Sequence, residues 1–235
     1  MMRRFFGHTL CGFVNAIVFC ALLFPLKAIA QQPEHHGSHP EETEWTWEVR
    51  PPHPDAGLPN ILLLGDSISR NYYPEVQRQL DGVANVYLFA SSISVGDPRL
   101  PRAIAEFGRM EGVSFHLVHV NNGMHGWSYS EMEYRRALPA FFKAVHKLAP
   151  HAQLVWASTT PVRGEKTPGP ANARILARNQ IARELVDARH IPLDDQYQLM
   201  LKYRDLYEDD VHFNTAGANI QGQQAAKQIR DLLHR

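Results

Sequence analysis

The sequence predicts a three-layer α/β/α domain built on a mainly five-stranded parallel sheet. Three observations predict it. From residue 60 onward, short apolar runs alternate with amphipathic stretches of helical period. The apolar runs, such as "ILLL" at 61–64 and "LVW" at 154–156, are continuous rather than alternating, which suits strands covered on both faces. The segments between them are long enough to be crossover helices, which neighbouring parallel strands require.

Each element follows in order. Residues 60–67 read as a strand that stops on Gly65-Asp66-Ser67, and 73–80 as a short helix. Residues 83–90 form a second strand and 100–108 a helix. Residues 114–122 form a third strand. The long helix at 130–148 carries Ala137, Phe141, Phe142, Val145 and Leu148 at i, i+3, i+4 spacing. A fourth strand at 153–158, an amphipathic helix at 171–189, a short fifth strand at 191–193 and a closing helix at 215–233 complete the domain, which spans 60–235. No internal repeat is visible.

Two segments precede it. Residues 1–30 carry a basic pair, Arg3 and Arg4, an apolar run over 11–26, and small residues at Ala28 and Ala30. That is the layout of a secretory signal peptide. The apolar run is shorter than the ~20 residues that span a bilayer. The expectation is therefore an exported chain, periplasmic or secreted, with no stable membrane insertion after cleavage; an uncleaved anchor is the alternative. Both cysteines, Cys11 and Cys20, fall in this segment, which leaves the rest without disulfide, thiol nucleophile or cysteine-based zinc site. Residues 31–59 are rich in Pro, Glu and His and read as a linker or extended arm. His35, His36 and His39 are either a solvated tail or a metal-binding tract. Trp45 and Trp47 alternate with polar residues, so this arm either docks as an edge strand or contacts a ligand.

Composition is that of an ordinary globular chain. Formal net charge is zero, so nothing points to a nucleic-acid partner. No Gly-x-Ser-x-Gly elbow, His-Glu-x-x-His zinc motif or phosphate-binding loop occurs.

In open parallel sheets the ligand site lies beyond the carboxyl ends of the strands. Four polar sets pass this filter: Gly65-Asp66-Ser67, "SSISVGD" at 91–97, "NNGMHG" at 121–126, and "YEDDVHFN" at 207–214 just before the last helix. Ser67 can be a nucleophile, His212 its base, and Asp209 the group that folds back to orient the base. Each has a plainer reading as a turn, cap or strand end; Asp210 could be the partner instead of Asp209.

Their co-occurrence in this order resembles the SGNH, or GDSL-type, serine esterases and lipases. "LLLGDSIS" resembles the first block of that family, in which the serine is nucleophile and its N–H joins the oxyanion hole. "SSISVGDP" resembles the second block, with Gly96 in the place of the oxyanion glycine. "DDVHFNTAG" resembles the fifth, giving Asp209 and His212. The third block departs from the family's Gly-x-Asn-Asp: here "VNNGMHGW" puts His125 in the place of the oxyanion asparagine, with Asn122 as the other possible donor.

The resemblance covers 60–235 and implies a flavodoxin-like SGNH hydrolase fold. It implies ester hydrolysis through an acyl-enzyme on Ser67, without metal or cofactor. The partner would be a small-molecule or glycan ester. Acetylated carbohydrate is the first expectation; a lipase or lysophospholipase, or a non-catalytic binding domain that kept the fold, are alternatives. Trp127, Tyr129 and Tyr72 either stack on sugar rings at the mouth or pack. "TTPV" at 159–162 is expected along the cleft, and Arg174 and Asn179 as packing or rim residues. Oligomeric state is left open.

Overall fold

A computed structural model describes residues 37–167 and 169–234 of the chain. Residues 1–30, read above as a signal peptide, and the histidines at 35 and 36 lie outside the described residues. The order of elements is β1 (Thr46–Val49), β2 (Asn60–Gly65), α1 (Ser67–Gln79), β3 (Asn85–Ser91), α2 (Leu100–Glu111), β4 (Leu117–Val120), α3 (Glu131–Leu148), β5 (Gln153–Ala157), α4 (Asn172–Asp187), β6 (Leu193–Asp194), α5 (Gln196–Met200) and α6 (Thr215–Leu233).

The sheet order is β1-β3-β2-β4-β5-β6. The five strands from β2 to β6 pair in parallel, and β1 pairs antiparallel with β3, Trp47 opposite Ala90. The sheet thus has six strands where the sequence predicted five. The sixth comes from the arm: Thr46–Val49 is its edge strand, so of the two roles open to Trp45 and Trp47 the structure takes docking. Trp47 is half exposed, and the Arg70 guanidinium lies 5.2 Å from the ring centroids of both tryptophans.

Strand pleating explains the three layers. Successive side chains of a strand face opposite ways. Ile61 and Leu63 of β2, with Val86 and Leu88 of β3, pack into a core with α1 and α6 residues such as Val76, Ala225 and Ile229. Leu62, Leu64, Tyr87 and Phe89 point the other way, against Ile104 and Phe107 of α2, Phe141 of α3 and Ala182 of α4. All four residues of "ILLL" are fully buried, and each contributes about 1.5–3 kcal/mol by leaving water.

Helix ends carry their own signals. Ser130 and Glu133 form a reciprocal capping box on α3. Gly112 ends α2 at a φ of 63°, a left-handed turn that glycine adopts without strain. Helix α1 starts at Ser67, earlier than the predicted 73. The start is set by Asp66, whose side chain accepts from the Ile68 N–H at 3.0 Å.

Among the parallel strands the chain runs first from β2 to β3 on one side, then to β4 on the other. The crevice between the carboxyl ends of β2 and β4 is therefore the topological switch point, the usual ligand position in such sheets. No helix among the described residues is long and apolar enough to cross a membrane.

Candidate active site

Ser67 stands at that crevice. Gly65 closes β2 where a Cβ would meet the Ser69 Oγ at 2.1 Å, so no larger residue fits between strand and helix. Asp66 caps α1 and Ser67 is its first residue. The cap and the candidate nucleophile are thus adjacent residues, and the capping role is taken without using the Ser67 hydroxyl.

His212 reaches Ser67 from the loop ahead of α6. That loop is a tight reversal: the Glu208 N–H donates to the His212 carbonyl at 2.9 Å, and Tyr207 stacks on Phe213 with ring centroids 4.1 Å apart. The Tyr207 hydroxyl donates to the Pro161 carbonyl at 2.6 Å, and Asn71 of α1 donates to the Phe213 carbonyl at 2.8 Å. Asn214 then caps α6. Held this way, His212 Nε2 lies 2.7 Å from Ser67 Oγ, and its Nδ1 lies 2.8 Å from Asp209 Oδ2. The other Asp209 oxygen accepts the N–H groups of Val211 at 2.7 Å and His212 at 2.6 Å. Partial burial works against its charge, but these bonds prevail and hold the Asp209 carboxyl at about 2. Asp209 therefore remains an acceptor, and Nδ1 carries the proton. That leaves the Nε2 lone pair facing the Ser67 hydroxyl, the arrangement of a nucleophile with its base. Asp210 is not the partner in this geometry: its carboxylate lies over Gly164, 3.9 Å from the Arg163 guanidinium, while Asp209 takes His212 Nδ1.

The two candidates in the third block separate. Asn122 is buried and its amide is engaged at both ends: Oδ1 accepts from the Val95 N–H at 3.0 Å, and Nδ2 donates to the Ile93 carbonyl at 3.2 Å. It ties the loop after β3 to the loop after β4. His125 lines a cleft of about 740 Å³ together with Ser67, His212, Met124 and Trp127. Its Nδ1 is 2.9 Å from Glu41 Oε2, and its Nε2 is buried with no hydrogen-bond partner among the described residues.

Four stretches named from the sequence lie away from the cleft. Gly96 does not line this cleft. Its N–H donates to Ser94 Oγ at 3.2 Å, and a Cβ there would meet the Tyr129 ring at 2.7 Å. The Asp97–Arg99 pair and the Asn122 anchor draw Gly96 under Tyr129, into a separate hollow with Val95 and Asp97. Tyr72 is not at the mouth. It lies five positions after Ser67, roughly 140° around the helix, and is fully buried with its hydroxyl 3.1 Å from Ser69 Oγ and 3.5 Å from His119 Nδ1. Tyr129 is buried too, its hydroxyl accepting the His39 N–H at 2.7 Å. "TTPV" packs behind the cleft, where Thr159 leaves no room for a side chain at Gly123. Trp127 does line the cleft, and its ring centroid lies 4.3 Å from the Arg178 guanidinium and 5.1 Å from that of Arg174.

Arg178 and Glu41 were not found by sequence reasoning. The buried Arg178 donates to the carbonyls of Gly123 at 3.0 Å, His125 at 2.7 Å, Gly126 at 2.9 Å and Tyr129 at 3.3 Å, so one side chain moulds the loop after β4. Burial pushes its guanidinium down to about 10. A signal was present: Arg178 occupies the i+3 place after Ile175, on the stripe with Ala182 and Val186, where helical period calls for an apolar residue. Arg174 adds donations to the Trp127 and Tyr129 carbonyls, and Asn179 pairs with the Thr159 backbone. Glu41 has no local signal, because the arm has no periodicity.

No family model matches the sequence, and no curated protein matches it. The fold does have solved counterparts. The chain is similar to the lipase/acylhydrolase from Enterococcus faecalis, at 19% identity and a TM-score of 0.58, covering 74% of this chain and 96% of that one. A member of the lipolytic protein G-D-S-L family from Veillonella parvula matches at 16% identity and a TM-score of 0.57, covering 72% and 96%. An acetylxylan esterase from Geobacillus stearothermophilus matches at 15% identity and a TM-score of 0.58, covering 73% and 94%. At these identities the likeness is one of fold, and the fold is that of the SGNH/GDSL hydrolases.

Proposed function

We propose that this chain of SGNH/GDSL fold is an exported serine esterase that cleaves carboxylic esters through an acyl-enzyme on Ser67, with acetylated carbohydrate as its substrate class. The hydrogen-bonded series Ser67–His212–Asp209, at 2.7 and 2.8 Å, carries the reading. Ser67 Oγ attacks the ester carbonyl while His212 Nε2 takes its proton. The carbonyl oxygen becomes an oxyanion. The first N–H groups of α1, which have no partner inside the helix and sit at the positive end of its dipole, favour negative charge at this point. The His125 ring, across the same cleft, is the side-chain donor. His212 then gives its proton to the leaving alcohol, and water repeats the sequence on the acyl-enzyme.

Support for the substrate class is the presence of Trp127 in the lining of the cleft and the acetylxylan esterase among the structures of similar fold. Export rests on the layout of residues 1–30. The test is hydrolysis of p-nitrophenyl acetate and acetylated xylan by the wild type and by Ser67→Ala. The wild type is expected to release acetate from both, and the variant to lose at least about three orders of magnitude in kcat. Equal inactivity of both on a broad ester panel sinks the esterase reading, and activity that survives Ser67→Ala sinks the nucleophile.

A further inference from the structure

A side chain that stabilises an oxyanion must present a proton to it. The surroundings of His125 restrict how it can do so. Glu41, from the arm ahead of β1, accepts twice: its Oε1 takes the Gly126 N–H at 2.9 Å and its Oε2 lies 2.9 Å from His125 Nδ1. A carboxylate has no proton to give, so Nδ1 carries one. If the ring were neutral, Nε2 would then be a bare lone pair, and it would repel the oxyanion. Yet Nε2 is the buried atom without a partner, in a ring that walls the cleft with Ser67 and His212.

We infer that Glu41 is a positioning residue that holds His125 as an imidazolium, so that Nδ1–H donates to the arm and Nε2–H to the oxyanion formed on the substrate. The proposal rests on the esterase reading. As the Ser67 Oγ–carbon bond forms, the carbonyl π pair moves to oxygen and the serine proton goes to His212 Nε2. His125 donates a hydrogen bond and keeps its proton.

The charges around the ring agree with this. Burial alone would lower the His125 pKa. The Glu41 hydrogen bond, the Asp66 charge at the start of α1 and the charges of Glu41 and Glu44 outweigh it, and the net direction is up. Glu41 moves down: burial resists its charge, but the His125 and Gly126 bonds prevail. The facing cations are Arg178 of α4, which spends its donors on loop carbonyls, and Lys166 at the rim, with Glu42 beside it and His212 opposite. A raised pKa keeps the imidazolium to higher pH, so donation to the oxyanion is lost as pH rises through that value. The pH profile should carry an alkaline limb set by deprotonation of His125.

The test uses the full chain with Glu41→Gln, which keeps an acceptor for Nδ1–H but removes the charge. Glu48→Gln on β1 is the control. Expected for Glu41→Gln is a drop in kcat of about 10- to 100-fold with KM within about twofold, an alkaline limb displaced to lower pH, and partial recovery in Glu41→Asp. Nitrogen-15 NMR of His125 should show the imidazolium of Glu41→Gln lost at lower pH than that of wild type. A wild type active on p-nitrophenyl acetate, with Glu41→Gln equal in kcat and alkaline limb, overturns the proposal and leaves the esterase reading standing. A His125 titration that Glu41→Gln does not move overturns it whatever the activity. A wild type inactive on every ester removes the oxyanion role together with the esterase reading.

Discussion

The side chains of "NNGMHG" divide their labour by which atoms are already occupied. Asn122 has both ends of its amide engaged with the loop after β3. Replacing it with Ala should act on stability: two buried backbone groups, Val95 N–H and Ile93 C=O, lose their partner, at about 1–3 kcal/mol. His125→Ala should act on turnover, with about a 10²- to 10³-fold loss of kcat. Urea unfolding and steady-state kinetics on both variants check the split, and the reverse pattern would exchange the two roles. Asp209 permits a sharper expectation. Its carboxyl is held at about 2, so in the folded chain it stays ionised as pH falls from 7 to about 3. Loss of activity above that range is therefore not protonation of Asp209. Asp209→Asn should cost about 10⁴ in kcat, because the amide no longer enforces the tautomer with Nδ1–H. A pH–rate profile of this variant that matches wild type in height would refute the role.

At the scale of elements, the site is a meeting of loops that the helices hold in shape. Helix α4 does so through Arg178, whose four carbonyl acceptors between Gly123 and Tyr129 set the path of the loop that carries His125 and Trp127. Gly126 completes that path with a φ of 70°, and a Cβ there would meet Ser94 at 2.3 Å. Arg178→Met keeps length and apolar bulk but strands those carbonyls. Breaking buried charged contacts of this kind costs about 3–5 kcal/mol. The expected outcome is a lower urea midpoint together with a lower kcat, since the loop that holds His125 relaxes. An unchanged midpoint would mean that water replaces the guanidinium at no cost. The arm is the other element at issue. Read from sequence as a linker or an arm, residues 37–49 are joined to the domain through Ser38 to Asp97 at 2.6 Å, Glu44 to Arg99 at 3.0 Å and the β1–β3 ladder.

On the scale of the whole molecule, the two apolar layers on either side of the sheet carry the fold. The described residues contain no cysteine. Their stability therefore comes from non-covalent contacts, and a reductant such as dithiothreitol should leave the thermal unfolding midpoint within about 1 °C. A shift of several degrees, seen by calorimetry, would show a disulfide contributing to the fold.

The parallel α/β/α architecture was legible in the chain because it is written in local pattern. "ILLL" is short, continuous and followed at once by a Gly-Asp-Ser stop, which suits a strand buried on both faces, and the i, i+3, i+4 spacing in α3 suits one helical stripe. The Ser67, Asp209 and His212 positions were legible for a related reason: each lies next to a strand end or helix start, and Asp209 and His212 share one turn. Other contacts join residues far apart in sequence, and no short-range period records them. The Glu41 contact with His125 spans 84 positions, and Arg178 reaches the carbonyl of Gly123 across 55. Gly96 and Tyr72 fail in the same way, since motif position and helix membership say nothing about which side of a loop or helix faces the crevice. The sequence by itself determined the fold and put Ser67, His212 and two candidate carboxylates, Asp209 and Asp210, beside strand ends or a helix start. Only the tertiary structure decided that Asn122 is an anchor, that His125 faces the cleft, and that the arm brings it a carboxylate, because those outcomes depend on which buried polar atoms find partners once the layers have packed.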